Sequence, residues 1–241
     1  MASPKRKRMW SSSSSSKKSK RKSSSSSRGG SSSSSSSLNG VTHESATEKI
    51  FTELADEEDP SVIGLEGVAS LCEKLDLDCE SDIRVLVLLW KMGSKEKPGQ
   101  ITKEEFLSGC SQLQVDSFAK FKKLIPSLDT GFMDQDEFKD FYKFCFQFNL
   151  EGTHRTLDKE MVVVLLEMVL SGRIADDRLK TFCTFTESQT SYTRITLDQW
   201  CSFLDFCYEC EDLSTYDESM SAWPVLIDEY VEYMEEQQQK K

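Results

Sequence analysis

Apolar positions recur at three- and four-residue spacing from Glu48 almost to the end of the chain, which is the period of amphipathic helices. Ile50, Phe51 and Leu54 make an opening turn. From Gly64 to Leu75, one face carries Leu65, Val68, Leu71, Cys72 and Leu75. Ile83 to Met92 is apolar nearly all round, which predicts a buried helix. Thr102 and Glu105 form a capping box for a helix through Leu113. Val115 to Ile125 follows and is stopped by Pro126. Asp134 to Phe148 is rich in phenylalanine, holds Tyr142 and must form core. Leu157–Leu170, Arg178–Phe185 and Thr196–Cys210 come next, the last opened by a second capping box, Thr196 with Gln199. Pro224 fits the first turn of a final helix, where its missing N–H is harmless. Val225, Leu226, Tyr230 and Tyr233 give that helix an apolar face, with Asp228, Glu229 and Glu232 largely off it. No segment sustains two-residue alternation. The expected fold is therefore all-α with at most tiny strands: one domain in two lobes over residues 46–236.

Composition divides the chain sharply. Residues 1–40 contain ten Lys/Arg, no Asp/Glu, and serine at about half of their positions. The remainder carries 20 basic against 41 acidic residues, so the net charge of −11 combines a +10 tail with a −21 domain. So few apolar residues cannot offset the entropy of ordering, and residues 1–45 and 237–241 are expected to be disordered. Two basic clusters, Lys5-Arg6-Lys7-Arg8 and Lys17, Lys18, Lys20, Arg21 and Lys22, read as a nuclear import signal, or more plainly as a solvated basic tail. The acidic domain repels nucleic acid and favours a basic protein partner. The longest apolar run, Met161 to Leu170, is too short to span a membrane and contains Glu167. Eight cysteines sit mostly among apolar residues, and no secretory signal precedes them. Reduced, buried thiols in an intracellular, nuclear protein are expected.

Chemistry is sparse. Three loop-to-helix joints have the shape of the back half of a calcium-binding EF-hand loop. In the joint ending at Glu105, Gly99 takes position six, but Pro98 replaces an oxygen ligand at position five. The joint around Ile63 begins at Asp56, has Pro60 at position five, and puts Gly67 where the bidentate carboxylate belongs. The joint ending at Glu137 has Pro126 and Leu128 at positions one and three. Shape is kept while ligands are lost, so no metal and no cofactor is expected. Cys207 and Cys210 form a CxxC, but zinc needs two more ligands and the only histidines are His43 and His154. No phosphate loop, no GxSxG and no Cys/His pairing is present, which argues against an enzyme.

AWPVLIDEYVEY, from Ala222 to Tyr233, resembles the closing signature of the PONY (potentiating neddylation) domain of defective-in-cullin-neddylation proteins. The likeness extends more loosely over residues 46–236. It implies an EF-hand-like scaffold that helps attach a ubiquitin-like modifier to cullins. Its partners would be a cullin C-terminal domain, the RING subunit of the ligase and a conjugating enzyme. An alternative is a nuclear adaptor that binds a cullin, or another basic partner, without promoting modification. By the resemblance, Asp198 (in LDQW), Ala222 and Asp228 (in LIDEY) form the cullin-binding patch: two carboxylates beside a shallow apolar spot. Asp198 also has a plainer reading, support of its own helix start. The resemblance further implies a pocket for the acetylated N-terminal methionine of the conjugating enzyme. Its positions are Leu65, Val68, Val85, Leu88, Ile101, Phe148, Leu165 and Met168, which an ordinary core would fill equally well. Ser221 stands where the signature usually has glycine, and the turn before Ala222 is one residue longer.

Overall fold

The computed structural model describes residues 45–210, 212–213, 216–217 and 222–239. Both basic clusters, Lys5–Arg8 and Lys17–Lys22, lie outside the described residues. The chain is built from helices: α1 (Ala46–Leu54), α2 (Leu65–Leu75), α3 (Ile83–Lys91), α4 (Lys103–Gln112), α5 (Phe118–Leu124), α6 (Gln135–Phe148), α7 (Lys159–Leu170), α8 (Asp176–Ser188), α9 (Leu197–Glu209) and α10 (Val225–Gln239). Four very short strands join them: β1 (Val62–Ile63), β2 (Ile101–Thr102), β3 (Thr156–Asp158) and β4 (Arg194–Thr196). The all-α reading holds.

Each strand pair ties two loop-to-helix joints together. β1 and β2 run antiparallel, with Val62 opposite Thr102 and Ile63 opposite Ile101. β3 and β4 do the same with Thr156, Leu157 and Asp158 opposite Thr196, Ile195 and Arg194. Helix starts coincide with these strands because the residue that ends a strand also caps the next helix. Thr102 accepts from the Glu105 amide and Thr196 from the Gln199 amide, and both reciprocal capping boxes are formed. A third box, Ser45 with Glu48, opens α1. Each cap satisfies amides that the helix itself leaves unpaired.

Core residues run continuously through both halves. On α6, Phe138, Phe141, Tyr142, Phe144, Cys145, Phe146 and Phe148 are all buried, so this helix is the axis on which the halves close. α3 packs on it from one side and α9 from the other. All eight cysteines are free, and five of them are buried. Burial pushes the thiols of Cys72, Cys110, Cys183 and Cys207 up to about 12.

Three boundaries differ from the periodicity. α5 covers only Phe118–Leu124, and the chain passes Pro126 in a 3-10 turn, Ile125–Ser127, because proline tolerates that geometry at a turn start. α8 is longer than expected, and α10 runs on through Gln239. The apolar face of α10 is also corrected: Leu226, Ile227, Tyr230 and Val231 are buried, whereas Val225 is 61% exposed.

Candidate functional site

The start of α9 and the start of α10 meet at one end of the second half. Gln199 of α9 and Leu226 of α10 line the same small void, together with Ile195, Trp200 and Phe203. Asp198 sits in the first turn of α9, exposed, one residue before the Gln199 that closes the capping box. It makes no hydrogen bond or ion pair among the described residues. Ala222 is exposed in the extended approach to α10. Trp223 follows it, half-buried and edge-on to Phe206 with ring centroids 6.0 Å apart. The indole anchors the approach and leaves Ala222 facing out.

Asp228 stands differently. It is half-buried, and its carboxylate accepts from the phenol of Tyr216. The Tyr216 ring packs edge-on against Phe206, 5.8 Å between centroids. A side chain expected to be free at the surface therefore also holds the segment leading into α10. Tyr230 fixes the helix from below. It is fully buried, pairs through its hydroxyl with Thr181 at 2.9 Å, and meets Phe182 edge-on at 5.0 Å. Burial raises its phenol above the ordinary range. Two of the three patch residues are thus exposed and the third is shared with a structural contact; Asp198 sits at the start of α9, Ala222 just before α10 and Asp228 in its first turn.

Two features of this surface escaped the periodicity. Val225, assigned to the buried face, instead adds apolar surface on α10 between Ala222 and Asp228. The helix face that turns to the core is that of Leu226, Ile227, Tyr230 and Val231, and Val225 lies off it. The second feature is charge. From Leu197 to Gln239 the chain has twelve Asp/Glu and no Lys, Arg or His. Cations from other elements reach the inner side of this stretch: Lys139 pairs with Asp205 at 2.7 Å, Arg173 donates to the Tyr208 hydroxyl, and Arg178 bonds the Cys210 carbonyl. The stretch is strongly electronegative and suits a basic partner.

The eight pocket positions come out mostly shut. Val68, Val85, Leu88, Ile101, Phe148 and Leu165 are at most 3% exposed and belong to the continuous core. Leu65 and Met168 are half-buried. Leu65, Ile101 and Phe148 do meet at one joint. The Gly99 amide donates to the Phe148 carbonyl at 2.7 Å, and the Leu65 side chain lies against Gly99. Gly99 holds φ +67°, a backbone state few other residues adopt. A peptide terminus entering here meets a joint closed by Leu65, Gly99 and the Phe148 carbonyl.

The EF-hand-like joints are occupied by the chain's own groups. Glu105 bonds the amides of Lys95 and Glu96 at 2.7 and 2.8 Å and the Thr102 amide and hydroxyl at 2.9 and 3.0 Å. At Gly67, a Cβ would lie 2.1 Å from the Leu54 carbonyl, so no carboxylate fits there. Among the described residues, no group of three or more His, Cys, Asp or Glu is placed to hold a metal ion. No helix of the described residues is long and apolar enough to cross a membrane.

Residues 120–233 match the family model described as Cullin binding. The chain is 36% identical to DCN1-like protein 4 of Homo sapiens over 178 residues, 73% of this chain and 59% of that protein. It is also 36% identical to DCN1-like protein 5 of Homo sapiens over 178 residues, 73% of each chain. DCN1-like protein 4 of Drosophila melanogaster is 32% identical over 185 residues, 76% of this chain and 72% of the relative. The chain spans about three-fifths of the length of the human protein 4. With that identity and coverage, the chain belongs to the family of DCN1-like proteins.

Proposed function

We propose that the protein binds a cullin C-terminal domain through the convergence of α9 and α10. It would promote neddylation by holding the cullin, its RING subunit and the modifier-charged conjugating enzyme together. Such a scaffold supplies no reacting group; it makes transfer effectively intramolecular. The observation that carries the reading is the exposure of Ala222, Val225 and Asp198, in a stretch of sequence that has no Lys, Arg or His from Leu197 to Gln239. A basic, partly apolar segment of a partner fits that chemistry. The basic clusters Lys5–Arg8 and Lys17–Lys22 serve, on this proposal, as a nuclear import signal.

A reconstituted transfer reaction, run with and without the protein, tests the reading. Faster modification of the cullin, lost with Asp198→Lys, is the expected result. The closed packing of Val68, Val85, Leu88 and Leu165 favours a second reading, binding without promotion. Titration with an acetylated and an unacetylated Met-starting peptide from the conjugating enzyme separates the two. Tighter binding of the acetylated peptide supports the scaffold, because acetylation removes a charge that the apolar positions would have to desolvate. No binding of either leaves the adaptor.

A further inference from the structure

Among the described residues, part of α10 is left uncovered. Val225 is 61% exposed, and Glu232 and Glu235 are exposed further along the helix. This face is apolar at Val225 and acidic at Glu232 and Glu235, and Asp198 is a further exposed acid, at the start of α9. The same chain carries the complementary charge at its other end. Residues 1–40 hold ten Lys/Arg and no acid, against twelve acids and no base in Leu197–Gln239. We propose that the basic tail, through the cluster Lys17–Lys22, docks on the outer face of α10 of its own chain and shields it from other basic partners.

Reach is not limiting. About twenty residues separate Lys22 from Ser45, where α1 begins. Such a segment spans up to roughly 75 Å when extended. A domain of this size has a radius of gyration of about 16 Å, so every surface point is accessible. Tethering supplies the second term. A short linker holds the tail at a local concentration of order millimolar, where a weak, multi-charge contact is well populated. Docking removes self-repulsion among the α10 carboxylates and among the clustered lysines together, and it uses no side chain that the core needs. The contact is electrostatic, so it weakens as the screening length falls from ~10 Å at 0.1 M salt to ~3 Å at 1 M.

Zero-length carbodiimide cross-linking of the full chain, with mapping of the joined peptides in the monomer fraction, tests the contact. The expected result is joining of Lys17, Lys18, Lys20 or Lys22 to Glu232, Glu235 or Asp198, lost at 1 M salt. Joining spread evenly over the acids of both halves overturns the proposal, as does joining confined to dimers. A second arm changes Lys5–Arg8 and Lys17–Lys22 to glutamine in the full chain. Affinity for a free poly-lysine probe should then rise roughly threefold or more, because the tail no longer competes; unchanged affinity for this probe also overturns the proposal. That the tail competes with a cullin as well rests on the function proposed above. If the cross-links and the poly-lysine gain appear while cullin affinity is unchanged, the docking stands and the assignment of the cullin to this face fails.

Discussion

Tyr142 and Trp200 each donate a side-chain hydrogen bond to the other's backbone carbonyl. The phenol of Tyr142 reaches the Trp200 carbonyl at 3.0 Å, and the indole N–H of Trp200 reaches the Tyr142 carbonyl at 2.9 Å. Their rings stack at 4.3 Å with planes 11° apart. The exchange bolts α6 to α9, and both residues are almost completely buried. Trp200→Phe removes one bond and part of a buried ring, and should lower stability by about 2–4 kcal/mol. Tyr142→Phe should cost about 1–2 kcal/mol. Urea unfolding of both single variants and the double variant should show a coupling of at least ~0.5 kcal/mol; strict additivity would refute the mutual bolt.

Gly67 is the next position to test. It occupies the place where an EF-hand loop carries its bidentate carboxylate, and the Leu54 carbonyl fills the space of a side chain. Gly67→Glu therefore restores the formal ligand without making a site. The expected outcome is a destabilised protein, by roughly 1–3 kcal/mol or more from overpacking, with no heat of calcium binding by calorimetry. A folded variant that takes up calcium would contradict the geometry.

On the surface, Asp198 and Asp228 should behave differently under the same substitution. Asp198→Lys reverses an exposed charge and should leave the melting temperature within a degree or two while weakening cullin binding tenfold or more, about 1.4 kcal/mol or above. Asp228→Lys should weaken binding and also loosen the approach to α10, since Tyr216 loses its acceptor. Tyr216→Phe isolates that second effect: it should reduce stability by about 1 kcal/mol with little change in binding. Val225→Glu adds a charge to the apolar spot and should weaken binding without unfolding, because Val225 is outside the core. Calorimetric titration with a cullin C-terminal domain, paired with thermal melts, reads all four.

Acid should release one defined contact. Hydrogen bonds from the Arg84 guanidinium, with a further one from the Arg84 amide, hold the Asp82 carboxyl below its ordinary range. A carboxyl depressed in the folded state adds stability above the unfolded value near 4, and that contribution disappears as pH falls through the folded value. Asp82→Asn should therefore be less stable than the parent at pH 7 and approach it in the acid range below pH 4. Urea midpoints across pH 2–7 measure this, and parallel curves for the two proteins would rule the contact out.

Much of the helical skeleton was legible in the sequence because its signals are local. Thr102 with Glu105 and Thr196 with Gln199 announce their helices through neighbours three residues apart. Periodicity found the aromatic axis of α6 because nearly every apolar residue there is buried. It misread α10, where Val225 and Ile227 are both apolar and only the packing of α8 and α9 decides which one turns inward. The patch residues were named by resemblance, and what resemblance omitted is tertiary: the hold of Asp228 on Tyr216 spans two segments, and no local spacing encodes it. The eight pocket positions show the same limit from the other side. An apolar side chain looks alike in sequence whether it lines a cavity or fills one.

Glu105 gives the scaffold its constancy. Its carboxylate gathers the amides of Lys95, Glu96 and Thr102 into one knot, work that a calcium ion does in a signalling helix pair. An ion comes and goes with its concentration, and the angle between such helices follows it. Here the knot is tied by a side chain covalently part of the chain, so the joint holds its shape without an ion. The distance between whatever binds at either end of the molecule is then set once, at folding, as by a ruler and not by a gauge.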